Sequence, residues 1–156
     1  MDLTSLSALE LGKKIKNKEI SVVEATKAQL EKVKEKDKEY NCYITILEEE
    51  ALTRAKEVQQ FIDEGKIDSP IAGVPMVIKD NICTKGVKTT CGSKMLSNFV
   101  PPYNATVIEK LWAAGAVMIG KSNMDEFAMG STTETSYYGE TKNPVNTQHV
   151  PGGSSG

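Results

Sequence analysis

The run NATVIEKLWAAGAVMIG, residues 104–120, decides the fold class of this 156-residue chain. Asn104 stands where a side-chain oxygen caps a helix over residues 105–114, and Gly115 stands where a glycine ends one. Ala116-Val117-Met118-Ile119-Gly120 then reads as a strand, short, uncharged and rich in apolar side chains. Helix, glycine and strand in that order form an αβ unit. The pattern predicts an α/β protein, with a parallel or mixed sheet covered by helices and functional loops at the strand ends.

Upstream, Gly73-Val74-Pro75-Met76-Val77-Ile78 reads as a buried strand entered through a glycine and a proline, with Lys79-Asp80-Asn81 at its carboxyl end. Residues 83–104, which contain Gly86, Gly92, Pro101 and Pro102, read as loop. Charge divides the chain: residues 1–66 hold 26 of its 40 charged side chains. The first part therefore reads as solvated helical surface packed on a core made by residues 67–156, with no linker rich in Gly, Ser or Pro between them. Ser7-Ala8-Leu9-Glu10 and Ser21-Val22-Val23-Glu24 are capping boxes that open two helices. Val23, Leu30 and Val33 form the apolar stripe of the second. A strand follows over residues 42–47, then a helix with Ala51, Ala55, Val58 and Ile62 on one face and Gly65 at its end.

The net charge of −2 and pI near 5.5 argue against broad electrostatic capture of nucleic acid or of an anionic membrane. The longest uncharged apolar runs, residues 71–78 and 111–120, are too short to span a bilayer, and the first residues carry no secretory pattern. A cytoplasmic protein is expected. Cys42, Cys83 and Cys91 form no C-x-x-C pair, and the one histidine, His149, lies far from them. Neither a metal site nor a disulfide framework is expected.

Three features carry chemistry: Lys79, the loop Met129-Gly130-Ser131-Thr132-Thr133, and the tail Pro151-Gly152-Gly153-Ser154-Ser155-Gly156. The tail admits three readings, namely an anion cradle of backbone amides, a flexible Gly/Ser segment, and a serine-based catalytic turn. It lacks the lysine of the nucleotide phosphate loop. A lysine after an apolar strand is ordinarily solvated. Where it is buried, desolvation favours the neutral amine, which takes a proton from a serine hydroxyl. A His149 triad oriented by Asp125 or Glu126 has no support in the spacing.

Read together, residues 73–82 and 151–156 resemble the amidase signature family. Residues 120–136, GKSNMDEFAMGSTTETS, narrow the likeness to the branch found in bacterial glutamyl-tRNA(Gln) amidotransferases. The resemblance implies an α/β/α amidase signature fold with a mixed sheet covered by helices, preceded by amino-terminal helices. It implies a Ser–cis-Ser–Lys triad in which Lys79 is the base and Ser154 the bridging serine, joined through a cis peptide to Gly153. Met129, Gly130 and Ser131 match a segment lining the substrate pocket.

The family's acylated serine lies downstream of the Gly-Ser motif, so the chain is expected to be an amino-terminal fragment that lacks the nucleophile and is inactive alone. Implied partners are glutamine, subunits B and C, and misacylated Glu-tRNA(Gln). ATP and magnesium are used by the assembled complex, mainly on a partner subunit, and no cofactor is expected in this chain. Two alternatives stay open: an amidase signature hydrolase acting alone on small amides, and a non-catalytic interaction fragment.

Overall fold

A computed structural model describes residues 2–156. Helices α1 (Ala8–Lys16) and α2 (Val22–Tyr40) lead into strand β1 (Tyr43–Ile46) and helix α3 (Glu48–Asp63). Strand β2 (Pro75–Lys79), helix α4 (Thr106–Ala113) and strand β3 (Val117–Ser122) complete the α/β pattern. The strands form a mixed three-stranded sheet in the order β1-β3-β2, with β1 antiparallel to β3. Tyr43 pairs with Ser122 and Ile46 with Gly120, across an irregularity between Tyr43 and Thr45.

Both capping boxes form. The Ser7 hydroxyl accepts from the Glu10 amide while Glu10 accepts from the Ser7 amide, and Ser21 and Glu24 repeat the exchange. Caps of this kind stabilise a helix by about 1 kcal/mol. Helix α3 and helix α4 both end on a left-handed glycine, Gly65 (φ 69°) and Gly115 (φ 79°). The Ala116 amide reaches back to the Leu111 carbonyl, closing the last turn of α4 as a Schellman motif and aiming the chain into β3.

Three expectations need correction. The segment expected to be a buried strand is only partly covered: among the described residues β2 pairs with β3 alone, and Val77 is 40% exposed. An apolar run looks the same in sequence whether its strand has one neighbour or two. Asn104 does not cap α4, because its side-chain oxygen accepts from the Lys85 amide at 2.8 Å and fastens the preceding loop. On α2 the buried stripe runs through Val22, Thr26, Leu30 and Val33, and Val23 is only half-buried. Spacings of four, four and three keep these residues on one face.

The chain comprises two compact units. One is made of residues 2–34, Leu47–Met76 and Glu109–Ile119; the other of Glu35–Ile46, Val77–Ile108 and Gly120–Gly156. The first has an apolar interior, with Ile15, Val22, Ala51, Ala55, Val58 and Val117 at 0–1% exposure. The second is different in kind. Among the described residues every buried polar or charged side chain except Thr26 lies in it, including Asp80, Lys121, Asn123 and Asp125, each at 0% exposure. Buried polar groups are costly unless each is partnered, so such a cluster marks where the chain gives up apolar packing to hold a defined arrangement.

Candidate active site

Lys79 is the last residue of β2, and its half-buried side chain reaches the tail. Its ammonium donates to the Ser154 hydroxyl at 2.5 Å, across 75 residues of sequence. The peptide between Gly153 and Ser154 is cis. The tail is fastened beyond the end of β3: the Asp125 amide donates to the Ser154 carbonyl at 2.9 Å, Met124 and Ser155 form an antiparallel bridge, and the Gly156 amide donates to the Asn123 carbonyl. Of its three sequence readings, the flexible one is therefore replaced by an ordered turn whose hydroxyl faces an amine.

Behind Lys79 lies a charge pair that the sequence reading passed over. Lys121, fully buried within β3, donates to the Ile82 carbonyl at 2.7 Å and to the Thr89 hydroxyl at 3.0 Å. Its ammonium stands 3.8 Å from one Asp80 carboxylate oxygen. The other Asp80 oxygen accepts from the amide and hydroxyl of Thr90. Burial pushes the Asp80 carboxyl above its ordinary range, against those bonds and the Lys121 charge. Burial likewise lowers Lys121, against the pull of Asp80. The Lys79 carbonyl accepts from the Ile82 amide, so residues 79–82 form a turn held from both sides. The legible signal was a lysine in a run otherwise fit for a strand interior, since a buried charge requires a partner.

A second network organises the residues after β3. The Asn123 amide group donates to the Asn41 and Gly139 carbonyls, and its oxygen accepts from the Met124 amide and the Ser136 hydroxyl. All four hydrogen-bonding positions of that buried side chain are filled. The Asp125 carboxylate accepts from the Thr135 hydroxyl at 2.9 Å and the Thr132 amide at 3.3 Å. Burial raises its pKa, but hydrogen bonds from Thr133, Thr135 and Thr132 outweigh that and hold it below the usual carboxylate range. Asp125 thus has no role with His149, which is exposed.

Met129, Gly130 and Ser131 are exposed, Met129 at 79%. The Ser131 backbone lies so close to Gly153 that a Cβ on the glycine would strike the Ser131 Cα. Met129–Ser131 and the Lys79–Ser154 pair thus meet in one unit. Among the described residues no group of three or more His, Cys, Asp or Glu side chains is placed to hold a metal ion, and no helix is long and apolar enough to cross a membrane. Cys42, Cys83 and Cys91 are free.

A lysine at a strand end, a hydroxyl turn against it and a polar interior around both are set on an α/β fold. Residues 24–156 match the Amidase family, and the chain belongs to it. It is 61% identical over its whole length to the A-subunit of the glutamyl-tRNA(Gln) amidotransferase of Lachnoclostridium phytofermentans, covering 32% of that protein. Among solved structures, the corresponding A-subunit from Thermotoga maritima matches 99% of the chain with TM-score 0.72 and 33% identity, over 31% of its own length. The peptide amidase of Stenotrophomonas maltophilia matches 97% of the chain with TM-score 0.88 and 29% identity, over 32% of its own length. The chain spans about a third of the length of the curated relatives it matches.

Proposed function

We propose that this chain supplies the base and bridging hydroxyl of a glutamine-hydrolysing site, within the subunit that provides ammonia to a tRNA-dependent amidotransferase. The observation that carries the reading is the hydrogen bond between Lys79 and Ser154. When the Lys79 amine is unprotonated, Ser154 donates its proton to it and accepts one from a nucleophilic serine on its other side. The activated oxygen attacks the side-chain carboxamide carbon of glutamine, the C–N bond breaks, and the proton returns through the same relay to the leaving nitrogen, releasing ammonia. Water, deprotonated by the relay, then cleaves the acyl-enzyme to glutamate and restores the serine. On this reading Lys79 and Ser154 are two members of the relay, and neither is its nucleophile.

The 61% identity to an amidotransferase A-subunit supports the assignment. It carries with it subunits B and C and misacylated Glu-tRNA(Gln) as partners, a cytoplasmic setting, and use of ATP and magnesium by a partner subunit. A second reading, a hydrolase acting alone on small amides, is favoured by the TM-score of 0.88 to a peptide amidase, against 0.72 to the amidotransferase component. In the full-length protein, Lys79→Ala and Ser154→Ala are each expected to lower ammonia release from glutamine at least about a thousandfold. Retained turnover in Lys79→Ala refutes the relay. Full wild-type turnover without any partner subunit favours the second reading.

A further inference from the structure

Asp125 joins the two halves of the candidate site. Its amide donates to the carbonyl of Ser154, the bridging serine, while its carboxylate accepts from Thr132 and Thr135, which follow the Met129–Ser131 loop. Two glycines lie against that carboxylate. A Cβ on Gly130 would strike the Asp125 Cγ and Oδ1, and a Cβ on Gly153 would stand 2.6 Å from Oδ2. One fully buried carboxyl group is therefore packed against both the Met129–Ser131 loop and the turn that carries Ser154, which also touch each other directly.

We infer that Asp125 is a positioning residue that ties the segment following the Met129–Ser131 loop to the turn carrying Ser154, and through that tie sets the fit of the amide substrate. The inference rests on the hydrolytic reading above. Asparagine keeps the shape against the two glycines, but one of its two terminal atoms is a donor and cannot accept from the loop. The amide of residue 125 still holds Ser154. The segment after the loop then loses one of its two bonds to residue 125 while the Lys79–Ser154 relay stays seated, so the defect falls on substrate binding rather than on the chemical step.

The test is steady-state ammonia release from glutamine by the full-length protein. Asp125→Asn is expected to raise KM about tenfold or more with kcat within about threefold of wild type. Thr135→Val, which removes the hydroxyl that donates to Asp125 and accepts from the Glu126 amide, is expected to raise KM in the same way, and Thr135→Ser, which restores it, to return KM to near the wild-type value. This pair decides the matter if Asp125→Asn does not fold. Unchanged KM in both Asp125→Asn and Thr135→Val overturns the inference, as does a fall in kcat alone or a Thr135→Ser variant as impaired as Thr135→Val. Wild-type protein that does not hydrolyse glutamine, or a Lys79→Ala variant that still does, overturns instead the hydrolytic reading on which the inference rests.

Discussion

Replacing Lys121 by methionine tests whether the polar interior holds the turn that carries Lys79. Methionine matches the apolar stem of lysine and removes only the ammonium. At 3.8 Å and an effective dielectric near 20, the attraction between Lys121 and Asp80 is worth about 4 kcal/mol, much of it offset by desolvation of the two charges. The variant loses that attraction while Asp80 stays buried. Its cost has a ceiling, because Asp80 escapes by protonation: at pH 7 a carboxyl with an ordinary pKa of about 3.9 takes up a proton for roughly 4 kcal/mol. The Ile82 carbonyl also loses its donor. Together these predict a loss of about 3–5 kcal/mol, read as a lower urea midpoint with unchanged slope in the full-length protein.

The pH dependence follows from the same ceiling. Without Lys121 the folded-state pKa of Asp80 rises further, so the folded variant binds a proton more tightly than the unfolded chain does. Its deficit against wild type is then small in acid and grows toward neutrality, by up to about 1.4 kcal/mol per pH unit. Adding Asp80→Asn removes the stranded charge and recovers part of the loss. A Lys121→Met deficit under about 1 kcal/mol, or one of equal size at pH 5 and pH 7, refutes the reasoning.

Two further outcomes follow from the second network. Asn123→Asp replaces a group that donates to two carbonyls by one that donates to none, and is expected to cost about 3 kcal/mol or more in urea denaturation; a loss under about 1 kcal/mol contradicts the network. Asp125, whose folded pKa is depressed, contributes stability that is present above its unfolded value and lost as pH falls through the folded one. The stability gap between wild type and Asp125→Asn is therefore expected to be widest above about pH 4 and to narrow in stronger acid, measured by denaturation across pH 2 to 6.

The αβ unit was legible because Gly115 and the uncharged run after it leave little choice of local structure, and the two capping boxes fixed the starts of α1 and α2 for the same reason. What failed were properties that depend on neighbours. The exposure of Val77 follows from β2 having one partner strand, and the Asn104 oxygen went to Lys85 because the loop folds back on it, neither of which is written in the local sequence. Strand β3 ran through Lys121 and Ser122, past the point where a charged residue would ordinarily argue for stopping. The partners of Lys121, the Thr89 hydroxyl and the Ile82 carbonyl, lie 32 and 39 residues away.

The site divides along the same line. Lys79 stood out in a charge-poor region, and the tail stood out by composition, but composition alone left the tail with three readings. Only the family resemblance joined Ser154 to Lys79, because the 75 residues between them are closed by tertiary folding and not by any local rule. Asp125 shows a middle case. Its partners Thr132 and Thr135 lie 7 and 10 residues on, within one hydroxyl-rich loop. A carboxylate followed at that distance by Ser131, Thr132, Thr133 and Thr135 is a local pattern that a search for His149 partners passed over. The spacing of the two glycines was not local, since Gly130 and Gly153 approach the carboxylate from separate segments. A glycine whose missing side chain would strike a buried carboxylate identifies what packs against that carboxylate, and here it is both the loop matched to the substrate pocket and the turn of the serine matched to the relay.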